Sequence, residues 1–126
     1  MPVIGIGGLF FRARDTEGLE AWYREMLGVG DGCGEGGEKD GYWHPEPGPV
    51  EFNFQTLDCD YFEAEKQVML NLRVRDMDSV LEQLNAKGVE VIVKEEWDSQ
   101  GLGRFARIHD PEGNPIELWE PAEPTD

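Results

Sequence analysis

Two glutamates in this chain stand at the same point of a repeated pattern. Pro45-Glu46-Pro47-Gly48-Pro49-Val50-Glu51-Phe52 and Pro111-Glu112-Gly113-Asn114-Pro115-Ile116-Glu117-Leu118 align at a constant offset of 66 residues. Each is a Pro/Gly turn running into a strand that opens apolar-Glu-apolar. Equivalent positions in two copies of one unit are expected to meet across a shared axis. Glu51 and Glu117 would then face each other, and two such carboxylates repel unless one takes a proton or both find positive partners. Arg12, Arg73 and Arg107 are the cations expected to point into the same space. Three chemistries fit. One is a salt-bridge network that holds two halves together. Another is a pocket of donors and acceptors for a small polar ligand, with Phe10 and Trp119 as flat apolar walls and Asn53 and Asn71 as amide contacts. In the third, either glutamate acts as general base on a substrate carbon whose carbonyl the arginines polarise.

The elements that must position these groups also come in pairs. Val3 to Arg14 reads as a strand, alternating cleanly from Gly8. Asp15 offers a helix cap, and Leu19, Trp22, Tyr23, Met26 and Leu27 form the stripe of an amphipathic helix that Gly28 closes. From Met69 the same order recurs: Leu70, Leu72 and Val74 alternate with Asn71, Arg73 and Arg75. Asp76 then caps a stripe of Met77, Val80, Leu81 and Leu84 that ends at Gly88. Phe11-Arg12-Ala13-Arg14-Asp15 matches Leu72-Arg73-Val74-Arg75-Asp76 at an offset of 61 residues. Strands are further expected over Val89–Val93 and Arg104–His109.

The reading is therefore a single α+β domain over residues 1–126. Two tandem βαβββ modules, about 1–56 and 67–120, flank an acidic connector at 57–66 and form a mixed sheet curled around a shared concave cavity. A helix covers only one face of its sheet. Leu9, Phe11, Ala13, Phe52, Phe54, Leu70, Leu72, Val74 and Leu118 are assigned to the helix side, and Gly8, Phe10, Arg12, Glu51, Asn53, Gln55, Met69, Asn71, Arg73, Glu117 and Trp119 to the open side. Trp22 and Tyr23 are expected to pack in the core. Trp97 lies in a polar loop, Glu95 to Gly103, that could serve as a lid.

Composition removes several classes of function. Twenty-seven acidic residues against 11 basic ones give a formal charge of −16, which repels nucleic acid and anionic membrane alike. No run approaches the roughly 18 apolar residues that span a bilayer. The N-terminus lacks a basic segment and a long apolar stretch, so no signal peptide is expected and a cytoplasmic location is. Cys33 and Cys59 read as free thiols. The glycine-rich, acidic stretch 28–41 has no Gly-Lys-Ser/Thr and carries Asp31, Glu35 and Glu38, so it does not read as a phosphate cradle.

Phe105-Ala106-Arg107-Ile108-His109-Asp110-Pro111-Glu112-Gly113-Asn114-Pro115-Ile116-Glu117-Leu118-Trp119 resembles the C-terminal signature of the vicinal oxygen chelate superfamily. That superfamily includes glyoxalase I, bleomycin-resistance proteins and extradiol dioxygenases. Arg14-Asp15 through Ala21-Trp22-Tyr23 to Leu27-Gly28-Val29 resembles its first helix. The resemblance implies a divalent metal between the modules, held from positions that are here Gly8, Glu51, Met69 and Glu117. Both carboxylates are present, and both positions where the family commonly has histidine lack one. Glycine offers no ligand, and a thioether is a soft donor unsuited to Zn, Ni, Mn or Fe. The only histidines, His44 and His109, flank the two turns and read as surface residues. No tightly held cofactor is therefore expected, and two carboxylates alone would hold a hard divalent ion such as Mg²⁺ only weakly. The resemblance further implies a homodimer and a small-molecule ligand held between the modules by a protein with a degenerate metal site. Its alternative is a metal-dependent lyase of glyoxalase I type.

Overall fold

The computed structural model describes residues 2–123. Helix α1 spans Thr16–Leu27, a single 3-10 turn follows at Glu35–Gly37, and strand β1 covers Leu70–Arg73. Helix α2 is Met77–Ala86, the one-turn helix α3 is Glu95–Asp98, and strands β2 and β3 are Gly103–His109 and Pro115–Pro121. The strands form one mixed sheet in the order β1-β3-β2, with β1 parallel and β2 antiparallel to β3. Ile92 touches the outer side of β2 only through a bridge to Arg107. The strand expected at Val89–Val93 is reduced to that contact. Among the described residues, no helix is long and apolar enough to cross a membrane.

Both aspartates cap as their spacing predicts. The Asp15 carboxylate accepts from the Gly18 N–H at 3.0 Å and that of Asp76 from the Ser79 N–H at 3.4 Å. Gly28 ends α1 in the left-handed region at φ 67°, where a Cβ would be strained. The core is built from the predicted stripes. Leu19 and Tyr23 of α1, with Met77 and Leu84 of α2, pack on Leu72, Ala106, Ile108, Ile116 and Leu118 of the sheet. Leu70 and Val74 sit beside them, half-buried. The face assignment made from alternation thus holds for the second half of the chain.

The first half departs from expectation. Residues 3–13 and 49–56, two arms expected to be strands, join no strand ladder among the described residues. Leu9, Phe11, Phe52 and Phe54 are exposed instead of lying under a helix. The cause is the position of α1, whose apolar stripe is already spent on the sheet of the second half. Among the described residues, no other helix covers the arms.

A buried polar contact fixes α1 there. The Tyr23 hydroxyl donates to the Asp110 carboxylate at 2.8 Å, and burial together with this bond pushes its phenol far above the usual range. Burial, then a bond to Glu117, does the same for Tyr61. Both phenols titrate higher in the folded chain than in the unfolded one. Their contribution is therefore complete below the unfolded value of 10.0 and is lost as pH rises beyond it. NMR ring signals of Tyr23 and Tyr61 should show no ionisation until the fold itself is lost, and Tyr23→Phe should flatten the alkaline fall in stability.

Candidate active or binding face

Alternation turns one residue in two of the three strands away from the helices. The ladder registers place Asn71, Glu117 and Arg107 side by side in one row, and Arg73, Trp119 and Phe105 in the next. Because one strand spacing separates neighbours in each row, side chains from three strands converge without any loop having to position them.

Glu117 lies at the centre and is only 6% exposed. One carboxylate oxygen accepts from the Tyr61 hydroxyl, and the other accepts from the Asn71 amide at 2.6 Å. Arg107, 5% exposed, lies against two aromatic rings that also meet each other edge to face. Its guanidinium carbon lies 4.8 Å from the Tyr61 ring centre and 5.3 Å from that of Trp97. Its Nε and Nη2, the side-on edge that pairs with two oxygens, have no hydrogen-bond partner among the described residues. Beside it, Glu63 receives His109 Nε2 on Oε1 at 2.8 Å while its Oε2 is buried and unpaired. Burial alone would push the Glu63 carboxyl up. A backbone N–H, His109 and the charge of Arg107 outweigh that and hold it below the usual carboxylate range. Trp119 stacks parallel to Phe105 at 6.3 Å and donates its indole N–H to the Leu102 carbonyl at 2.8 Å. The result is a flat aromatic floor beside a buried carboxylate and a buried cation.

Of the residues expected here, Asn71, Arg73, Arg107, Glu117 and Trp119 come together. Arg73 is exposed at the rim and donates to the Glu46 carbonyl at 2.8 Å. Phe10, Glu51 and Asn53 lie on the arms and line the far side of a cleft of about 2760 Å³ that also reaches Glu117 and Trp119. Glu51 is exposed and accepts from Asn53 at 3.3 Å. Arg12 turns elsewhere, lining a smaller hollow with Lys66 and Glu112. The expected pairing of arginines with the two glutamates does not form: neutral donors from Tyr61 and Asn71 satisfy Glu117 instead. His109, read as a surface residue, is half-buried against Glu63. Tyr61 and Glu63 went unread because the connector that carries them has no period to mark a face. Trp97, expected in a lid loop, sets its ring against Arg107 and Tyr61.

The metal positions implied by the resemblance fit poorly on this structure. Gly8 supplies no donor, Met69 supplies a thioether, Glu51 sits on an arm, and both oxygens of Glu117 already accept hydrogen bonds. Among the described residues, no three His, Cys, Asp or Glu side chains group as a metal site. Such a donor set does not make the three or four ligands that hold Zn²⁺.

A family model for the glyoxalase-like domain matches residues 8–119. Among solved structures, the chain is similar to TnmS3, an antibiotic binding protein from Streptomyces sp. CB03234. The TM-score is 0.60 at 23% identity, over 97% of this chain and 99% of that one. It is also similar to the integron cassette protein HFX_CASS4 from the mobile metagenome of the Halifax Harbour sewage outfall. There the TM-score is 0.53 at 22% identity, over 91% and 99% of the two chains. No curated protein matches the chain. The matched span covers both repeated turns and the whole converging face, and the chain belongs to the glyoxalase-like domain family of the vicinal oxygen chelate fold.

Proposed function

We propose that this protein binds a small organic molecule on the Asn71–Glu117–Trp119 face and holds it without a tightly bound metal, as a homodimer. The observation that carries this reading is Glu117. It is a buried carboxylate that accepts two neutral donors and opens toward a cleft floored by stacked aromatic rings. A ligand hydroxyl or N–H that replaced the Tyr61 hydroxyl would keep the carboxylate satisfied while its flat body lay on Trp119. The unpaired edge of Arg107 and the free oxygen of Glu63 suit a neutral group carrying an acceptor beside a donor, such as an amide. The likeness to an antibiotic binding protein supports the same class of ligand. The empty histidine positions at Gly8 and Met69 support a degenerate metal centre, and with it binding over turnover.

Tryptophan fluorescence of chelator-treated protein, titrated with bleomycin and with planar polycyclic antibiotics, tests the proposal. At least one compound is expected to bind saturably. Glu117→Gln should weaken that compound about 10- to 100-fold, the equivalent of a charge-assisted hydrogen bond of about 1.5–3 kcal/mol. Metal-dependent turnover of the hemithioacetal of glutathione and methylglyoxal would replace this reading with a glyoxalase-type lyase.

A further inference from the structure

We infer that the ligand proposed above is a fused aromatic with a free ring hydroxyl, and that Tyr61 is the protein's own stand-in for it. This rests on the small-molecule reading of the face and narrows the ligand to one chemical class, the phenols.

Four elements of the fold converge on the phenol of Tyr61, and none of them is the segment that carries it. Glu117 of β3 accepts from its hydroxyl, and Asn71 of β1 holds the other oxygen of that carboxylate at 2.6 Å. Arg107 of β2 sets its guanidinium carbon 4.8 Å from the ring centre. Trp97 of α3 meets the same ring edge to face, with 5.9 Å between centres and 76° between planes. Each contact reads a different property of a phenol. A buried carboxylate selects a donor, a guanidinium selects the electron-rich face of a ring, and an edge-to-face indole selects an aromatic outline. An aliphatic alcohol or amine meets only the first.

The hold on Tyr61 from its own segment is slight. It sits in the connector at 57–66, which joins no strand ladder among the described residues. Its half-buried side chain lies on the wall of the cleft with Glu117, Asn71 and Trp97. Exchange of one phenol for another leaves the carboxylate satisfied and the ring contacts intact, so no hydrogen bond is lost overall. Among the described residues no lysine or arginine pairs with Glu117, so an incoming hydroxyl meets no competing salt bridge. Burial, then the bond to Glu117, keeps a phenol protonated at this point, as donation requires.

Tyr61 is also an incomplete match. With it in place, Arg107 Nε and Nη2 and Glu63 Oε2 stay buried without partners. A larger phenol with further polar groups would meet them. Size points the same way. Trp119 follows Glu117 by two residues on the same face of β3, roughly 7 Å along the strand. A single ring anchored at Glu117 falls short of Trp119, whereas two or more fused rings span that distance. They would then lie on the flat floor that Trp119 forms with Phe105.

NMR titrations of the full-length protein with 2-naphthol, 2-methoxynaphthalene and naphthalene test this, read at the Trp97 indole N–H and the Tyr61 ring. The three share one outline, and only 2-naphthol can donate. It should bind saturably and at least about tenfold tighter than the other two, the ratio set by one hydrogen bond to a charged acceptor. The Tyr61 ring signals should move to those of a solvent-exposed tyrosine. Tyr61→Phe, which removes the competing hydroxyl, should tighten 2-naphthol by about a further tenfold. Equal binding of the three, or no binding of 2-naphthol, would overturn the phenol class. Unmoved Tyr61 signals in the parent protein, or weaker 2-naphthol binding by Tyr61→Phe, would make Tyr61 a fixed contact and overturn its role as stand-in. Each of these results leaves the small-molecule reading standing while an antibiotic from the fluorescence titration still binds. A face that takes none of these compounds overturns both.

Discussion

Replacing Asp110 with alanine is expected to destabilise this protein by about 3–5 kcal/mol, the cost of breaking a buried, fully bonded charged group. Asp110 is only 4% exposed, and its carboxylate accepts four hydrogen bonds. Oδ2 receives the Tyr23 hydroxyl and the Asn114 side-chain amide, each at 2.8 Å. Oδ1 receives the backbone N–H groups of Glu112 at 2.9 Å and Asn114 at 3.0 Å. Alanine leaves all four donors without their acceptor and detaches α1 from the β2–β3 turn. The same turn holds the start of α1 from the other side, since the Glu112 carboxylate accepts from the backbone N–H groups of Arg14 and Asp15. Against a total stability of about 5–15 kcal/mol, such a loss should lower Tm by roughly 10–20 °C. Asp110→Asn retains one acceptor oxygen and should fall between. A melting temperature for the alanine variant within about 2 °C of the parent, well inside the shift that 1 kcal/mol produces, would show that Asp110 is not the anchor.

That prediction also explains what the Asp110-Pro111-Glu112-Gly113-Asn114 motif does in this chain. It reads in the sequence as a family mark, and its job here is mechanical: it shapes a turn and receives a helix. Most of the second half of the chain is legible because its strands, helix and turn close on one another over a short span; Val89–Val93, which forms only one bridge, is the exception. Period-two alternation put Leu72 and Leu118 under the helices, and the same parity put Asn71, Glu117 and Trp119 on the opposite face. The arms were legible only as pattern. Alternation at Leu9, Phe11, Phe52 and Phe54 specifies a face and says nothing about which segment, or which copy, supplies the neighbouring strand. Glu51 could therefore be matched to Glu117 by repeat and still stand apart from it in one chain. Tyr61 and Glu63 were hidden for a different reason, since an irregular connector carries no period from which burial can be read.

Arg107→Met should leave the protein as stable as before or more so, by about 1–2 kcal/mol, while weakening ligand binding at least tenfold. The stability argument compares two sets of terms. The guanidinium is buried with Nε and Nη2 unpaired, and each buried unmet donor costs about 1–3 kcal/mol. In return it gains contact with the rings of Tyr61 and Trp97, worth about 0.5–2 kcal/mol per face. It also gains attraction to Glu63, which is weak because that carboxylate is partly exposed and already held by His109. Methionine keeps the length and the apolar contact with both rings and removes the unmet donors, as replacement of buried charges by apolar groups of similar volume often allows. Arg107→Ala differs, because it also leaves a void beside two aromatic side chains and should cost about 2–3 kcal/mol. An unpaired charge kept where an apolar residue would be more stable is the mark of a group held for a ligand. Chemical denaturation of the two variants, set beside the fluorescence titration, separates these outcomes. If methionine destabilised the chain as much as alanine and left binding unchanged, Arg107 would be a structural cation and the binding face would end at Glu117.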